Sequence, residues 1–274
     1  MGRVIVHDLS DAEYHRRPEL SSTGARLILD SPAKYKYRLG HETHSHAFDI
    51  GKAVHARVLG VGAQAVAYPD DVLASNGAAS TAAAREWAEA ARADGLIPMK
   101  ASDLAPVKAM SEALLAHTEA REILETATGR EVSIFADVAG VPARARYDIY
   151  GATTGADVKT AADASPDGFN RAVAAHGLHV QEAWYRDVRT AETGEGLDWF
   201  KFVVVEKTAP YLVGVYDLDI MWRDIGRERA ATARETWLTC TETGVWPGYG
   251  SMTLSCPTYV VYEHETRYEK EIQL

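Results

Sequence analysis

Cysteine is nearly absent. The 274-residue chain has two, Cys240 and Cys256, which give neither a disulfide framework nor a zinc pattern. Long apolar runs are missing as well. Arg3, His7 and Asp8 interrupt the N-terminal residues, so no secretory signal is expected. No stretch is apolar for the length that a bilayer requires. These absences point to a soluble, cytoplasmic protein with no membrane partner. Positive charge is in deficit too: 29 Lys and Arg stand against 39 Asp and Glu, for a net charge of -10. That argues against a broadly basic, DNA-coating protein. It leaves room for a locally basic groove, and bound cations can supply positive charge where a phosphate sits. No internal repeat or low-complexity tail is visible, and the alanine-rich stretch at 80–92 reads as helix propensity rather than disorder.

What is present is a mixed helix and strand pattern with 46% hydrophobic residues, enough for one large domain or two small ones with a proper core. Val4 and Val6 suggest a short strand. Ser21, Ser22 and Thr23 are N-cap candidates for a helix that Asp30-Ser31-Pro32 stops. A second short helix carries Lys34, Lys36 and Arg38, which are either a solvated face or phosphate contacts at the mouth of a groove. From Phe48 onward, Ile50, Val54, Val58 and Leu59 form a helical stripe beside His55. A histidine so placed, taken alone, is more often a satisfied boundary residue than a ligand. Residues 65–78 read as strand and loop, 80–92 as a helix and 105–126 as one further helix.

From 129 the pattern changes to strands. Residues 129–138, 141–149 and 157–160 alternate, with Val132, Ile134 and Ala136 on one face of the first and Ser133, Phe135 and Asp137 on the other. Ser165-Pro166-Asp167 opens a helix that Gly177 ends, and a second helix runs from about His179 to Glu192. Strands at 202–206 and 212–216 follow. A long helix capped by Asp219 then covers 220–243, with Arg223, Arg227, Arg229 and Arg234 mostly on a solvated face. An aromatic loop at 246–250 and an edge strand at 259–262 complete the reading.

The chemistry concentrates between Tyr147 and Tyr185. Asp157 and Lys159 are two apart in a strand, so they share a face while Val158 points away. A turn from Gly151 to Gly155 can fold this strand back on the preceding one and bring Asp148 beside Asp157. Two carboxylates and a lysine on one sheet face are costly to bury unless compensated, and a divalent metal would compensate the acids. Gln181 and Tyr185, four apart, share one helix face.

This arrangement resembles the PD-(D/E)XK nuclease superfamily, whose motif is an acid at a strand end followed by acid-x-Lys on the next strand. The Gln181-x-x-x-Tyr185 pair and the upstream Gly51-x-x-x-His55 are similar to the RecB-like branch. Three stretches resemble the RecE-type nuclease domain and its phage and prophage relatives: LSSTGARLILDSPAKYKY, VKTAADASPDGFNRAVAAHGLHVQEAWY and GVWPGYG. The likeness spans roughly residues 10–260. It implies a single α/β (α+β) nuclease domain over 1–274, with a mixed central sheet flanked by helices. A mainly helical part over 1–128 would carry His55, and 129–264 would form the nuclease core. It further implies Mg²⁺ or Mn²⁺, as two ions, held by His55, Asp148, Asp157 and the backbone carbonyl of Val158. Asp148, Asp157, Lys159, Gln181 and Tyr185 would be catalytic. Glu131, at the head of its strand, is either an ordinary exposed acid or, as the family implies, an acid close to the metal site. Two cysteines cannot hold the iron–sulfur cluster of some RecB-like relatives. The implied activity is 5′ to 3′ exonuclease action on linear duplex DNA, giving single strands for recombination in a bacterial or phage setting. The implied partners are DNA, a RecT-type single-strand annealing protein and further copies of the chain in a ring. A structure-specific or single-strand nuclease of the same fold, and a non-catalytic DNA-binding module, are the alternatives.

Overall fold

The computed structural model describes residues 4–39, 41 and 46–272, with side chains described for 4–39, 41 and 49–267. A short strand β1 (Val4–Val6) leads into α1 (Asp11–Arg16), which starts on a reciprocal capping box between Ser10 and Glu13. β2 (Leu20–Ser21) runs straight into α2 (Ser22–Asp30), where the Ser21 hydroxyl accepts from Gly24 N. α3 (Pro32–Arg38) begins on a proline, which has no N–H to leave unpaired. Then follow α4 (His46–Leu59), β3 (Ala65–Ala67), α5 (Ala82–Ala93), β4 (Ile97–Met99), α6 (Ala101–Ala116) and α7 (Thr118–Glu125). The second half comprises β5 (Gly129–Val138), β6 (Val141–Tyr150), β7 (Thr154–Ala161), α8 (Pro166–His176), α9 (Leu178–Thr193), β8 (Trp199–Glu206), β9 (Val213–Asp217), α10 (Ile220–Thr243) and α11 (Thr258–Ile272).

The fold is mixed α/β, with a central, mostly antiparallel sheet flanked by helices. The sheet order is β1-β5-β6-β7-β8-β9, and β2 pairs with β6. The first 128 residues therefore supply two strands of the central sheet as well as helices. Each face of the sheet carries its own apolar core. One core joins Val132, Ile134, Ala145, Tyr147, Phe200 and Phe202 to residues of α2, α8, α9 and α10. The other joins Ile149, Ala156, Val158, Val203 and Val205 to residues of α4, α6 and α7. Two features place the site. First, β6 and β7 pair only at Ile149↔Ala156 and Tyr150↔Gly155, while β7 continues beside β8 as far as Ala161. The register would set Asp148 against Asp157, so the two strands part at these acids. Second, Ala143, Ala145 and Tyr147 face the first core but Ile149 faces the second. The period-2 alternation breaks at Asp148.

Three expectations need correction, and one open alternative narrows. The helix read over 105–126 is two helices, α6 and α7, because His117 is extended and its Nδ1 caps Ala120 N at 3.3 Å. The run at 259–262 lies inside α11 rather than in an edge strand; four β-forming residues are too few to outweigh the helix-favouring EHETRYEKE that continues them. The arginines of α10 are divided. Arg227 and Arg229 are exposed, but Arg234 Nη1 donates to Asp187 Oδ2 at 2.7 Å and Arg223 lies 3.6 Å from the buried Glu182. Glu131 is not an ordinary exposed acid at a strand start: it is partly buried and adopts φ 53°, a left-handed conformation that costs about 1–3 kcal/mol for a residue with a Cβ.

Candidate active site

Asp148 is buried where β6 and β7 diverge. With no backbone partner across the gap, Val158 N donates to Asp148 Oδ2 at 2.7 Å. The side chain thus completes the ladder that the backbone abandons, and this fixes the carboxylate. Asp157 is 3% exposed, on the β7 face opposite to Ala156 and Val158. Gln181 Nε2 donates to Asp157 Oδ1 at 2.5 Å from α9. Lys159 Nζ forms a close ion pair with Asp157 Oδ2; that contact is ionic, and the oxygen receives no well-angled hydrogen bond. The alternation that put Asp157 and Lys159 on one face therefore holds. Tyr185, one turn beyond Gln181, packs its ring against Tyr147 at 5.0 Å and Phe200 at 5.8 Å. Burial pushes its hydroxyl well above the ordinary tyrosine range.

His55 arrives from the other side of the sheet on α4. Its Nε2 lies 2.6 Å from the Val158 carbonyl. A carbonyl only accepts, so Nε2 carries the hydrogen. Nδ1 then presents a lone pair 3.3 Å from Asp148 Oδ2. Burial lowers the His55 pKa, with the charge of Asp157 acting against that, and favours the neutral ring. Two acceptors this close need either a proton or a cation between them.

Glu131 adds a third group. One ligand atom each from His55, Glu131 and Asp148 lies within 4.8 Å of the others. Burial and the neighbouring Asp148 raise the Glu131 carboxyl from 4.5 to about 7, against the pull of Arg146. Asp148 is raised well above its ordinary value by burial and then by Asp157; Lys159, Val158 N–H and Arg146 counter this. These acids are held in an environment that disfavours their charge, and a divalent cation would relieve it. The donors fit a hard cation: two carboxylates, one neutral imidazole nitrogen and no sulfur. The expected set differs in one respect. Asp157 is not among the three groups that meet ligand spacing within the described residues; its oxygens face Gln181 and Lys159. The Val158 carbonyl is at the site but accepts from His55.

Some neighbours escaped the sequence reading. Arg146 is buried, with Nε donating to Ser133 Oγ at 3.0 Å and Nη2 to Leu9 O at 2.7 Å. Its Nη1 lies 3.5 Å from Glu131 and 3.4 Å from Asp11, so it anchors the strained acid to α1. The alternation in Ala143–Asp148 places Arg144 and Arg146 on the face of Asp148, a signal that was available. Arg26 of α2 donates to His176 O at 2.6 Å, and Tyr185 and Asp157 are among the charges acting on it; nothing in its local sequence marks it. Among the described residues, no contact joins Lys34, Lys36 or Arg38 to Glu131, Asp148 or Asp157. Lys34 pairs with Asp30 at 2.6 Å, and Lys36 lies over Trp246 at 5.4 Å.

Among the described residues, no helix is long and apolar enough to cross a membrane. No curated protein matches the chain. The crystal structure of a protein from Eubacterium rectale, described as a "Putative exonuclease", is similar with a TM-score of 0.63 at 13% sequence identity, covering 92% of this chain and 96% of that one. At that identity the likeness speaks for the fold. Residues 21–257 match the family described as a PDDEXK-like domain of unknown function (DUF3799). That match spans most of the sequence and every residue of the cluster around Asp148, so the chain belongs to this PDDEXK-like family.

Proposed function

We propose that the protein is a divalent-metal-dependent DNA nuclease built as one domain. The observation that carries this reading is the fork at Asp148 and Asp157, two buried acids on diverging strands. Lys159 pairs with one, and a histidine lone pair faces the other. His55, Glu131 and Asp148 would hold a Mg²⁺ or Mn²⁺ ion; the resemblance adds Asp157 and the Val158 carbonyl as ligands of a second ion. A bound ion would supply Lewis-acid stabilisation of the phosphoryl oxygens and lower the pKa of an attacking water. The chain's own residues do the rest. Lys159 presents an ammonium to orient the water or pair with a phosphate oxygen. Gln181 fixes the Asp157 rotamer, and Tyr185 walls the cleft from α9. Val158 N–H locks Asp148. Contacts of this kind position a backbone and carry little base preference.

The finer reading rests on the four motifs taken together. It is a RecE-type exonuclease working 5′ to 3′ on linear duplex in the cytoplasm, with a RecT-type annealing protein as partner and a ring of like subunits. The test is purified protein on end-labelled linear and on circular duplex DNA, with and without Mg²⁺. Metal-dependent loss of the 5′ label from linear DNA alone is expected. Cleavage of circular duplex would replace the exonuclease by an endonuclease, and no cleavage of any DNA would remove the nuclease reading.

A further inference from the structure

A surface outside the carboxylate cluster has the chemistry of a nucleic-acid platform. The 246–249 segment lies across the start of α3, because the Pro247 carbonyl accepts from Ala33 N at 3.1 Å and from Ser31 Oγ at 3.4 Å. Trp246 packs on Tyr35 at 5.4 Å between ring centroids, with the Lys36 ammonium over it at 5.4 Å. Lys34 covers the Tyr249 ring at 5.1 Å, and the Tyr249 hydroxyl donates to Asp30 Oδ1 at 3.1 Å. Tyr249 is nevertheless 70% exposed and Tyr37, on the next part of α3, is 66% exposed. Tyr249 is thus held by Asp30 and Lys34, and Tyr37 has His41 stacked on one face of its ring at 4.0 Å, while both rings keep that exposure. Lys36 and Arg38 have no ion-pair partner among the described residues. A chain of net charge -10 here concentrates cations beside aromatic faces.

We propose that α3 and the 246–249 segment form a stacking platform for single-stranded DNA. The proposal rests on the nuclease reading for its ligand class; the surface chooses the form of the ligand. In a duplex the base faces are already stacked and cannot reach a tyrosine ring. In a single strand they can, and each such stack contributes about 5- to 100-fold in affinity. Lys36 and Arg38 would meet the backbone phosphates. The platform connects to the site through α2, whose Asp30 holds Lys34 and Tyr249 and which packs against α9, the helix of Gln181 and Tyr185.

The experiment is fluorescence anisotropy with the full chain in EDTA, using oligo-dT of about 20 nucleotides, an oligo-rU of equal length and a duplex of the same length. Tyr249→Ala and Tyr37→Ala are each expected to weaken oligo-dT binding about 5- to 100-fold and to change duplex binding less than about twofold. Tyr249→Phe keeps the ring and is expected to bind as wild type, which separates stacking from loss of the Asp30 hydrogen bond. Unchanged melting temperatures confirm that the alanine variants fold; if one does not, Lys36→Ala, a fully surface change, is read in its place. Oligo-dT affinity unchanged in these variants overturns the platform, as does an equal loss on duplex. A preference for oligo-rU that the variants abolish overturns the assignment to DNA. If the wild type cleaves no DNA yet Tyr249→Ala loses oligo-dT, the platform stands and the nuclease reading falls. If the wild type cleaves and Tyr249→Ala binds oligo-dT normally, the reverse holds.

Discussion

Replacing Glu131 by Gln should make the metal-free protein more stable and shrink what a bound metal adds. Glu131 is a carboxyl whose pKa rises on folding, from 4.5 to about 7, through burial and then the charge of Asp148. Between those values the folded chain keeps a proton that the unfolded chain releases. The stability of the metal-free wild type therefore falls as pH rises through about 4.5 to 7, and the full cost is present above that window. At 1.36 kcal/mol per pKa unit the cost at pH 7 is about 3 kcal/mol. Part of that repulsion belongs to Asp148, and the amide loses the 3.5 Å contact with Arg146. Glu131→Gln should then recover about 1–3 kcal/mol. For a chain of this length, a melting entropy of about 2.1 cal/mol/K per residue makes each kcal/mol worth about 2 °C, so Tm should rise by about 2–6 °C.

The assay is thermal unfolding in EDTA from pH 5 to 8, repeated in Mn²⁺. Wild-type Tm should decline across the window, and the variant should decline less. An ion that binds only the folded chain stabilises it by about 2.7 kcal/mol at a hundred times its Kd. With Mn²⁺ the wild type should gain that increment and the variant much less of it, so the variant's advantage in Tm closes, and it reverses where the metal-free gain is in the lower part of its range. A metal-free variant that melts at or below the wild type at pH 7.5 would refute the argument. So would a variant that retains the full pH slope, because the acid would then not be held against its charge.

Three further outcomes follow from the same geometry. Lys159→Ala leaves the His55, Glu131 and Asp148 donors in place, so Mn²⁺ binding by calorimetry should persist while single-turnover cleavage falls on the order of 100- to 10,000-fold; activity that merely tracked a lower Tm would make Lys159 a structural ion-pair partner. Gln181→Leu removes the 2.5 Å donor to Asp157 Oδ1 inside a buried site, and the unsatisfied oxygen should cost about 1–3 kcal/mol, read as a depressed Tm in EDTA. Gly226→Ala would place a methyl 2.4 Å from the His179 carbonyl oxygen, forcing α9 and α10 apart at about 1–3 kcal/mol; an unchanged melt would contradict so close a crossing.

What could be read from the sequence was set by periodicity. Asp157 and Lys159 are two apart and Gln181 and Tyr185 four apart, so each pair follows from the repeat of its element. The hairpin turn between Asp148 and Asp157 was legible too, but the pairing of β6 and β7 ends at Ile149↔Ala156, so the two acids sit where the strands part. The paired β-forming residues at 259–262 misled because composition over four positions says less than the polar, helix-favouring residues after them. His117 split a helix because its side chain supplies a cap, an event local to one residue and invisible to a periodic pattern. Arg26 lies outside every repeat and could not have been found.

Glu131 and Arg146 are the more instructive pair. A strict strand alternation assigns Glu131 to one face and leaves it at the edge. The backbone instead turns left-handed there, and Asp148 on the adjacent strand sits where the alternation of β6 breaks. Both irregularities fall on acids of the same cluster, at neighbouring positions in the β5–β6 register. The register of β5 and β6, Arg130↔Ile149 and Val132↔Tyr147, sets Glu131 opposite Asp148, so the two carboxylates share one face of the sheet and repel each other there. Bringing them together costs backbone strain at Glu131 and burial at Asp148, and Arg146 and Val158 N–H offset only part of that. An arrangement of acids that is unfavourable without a counter-ion, yet anchored by a buried arginine and a backbone donor, is what a site built for a cation requires.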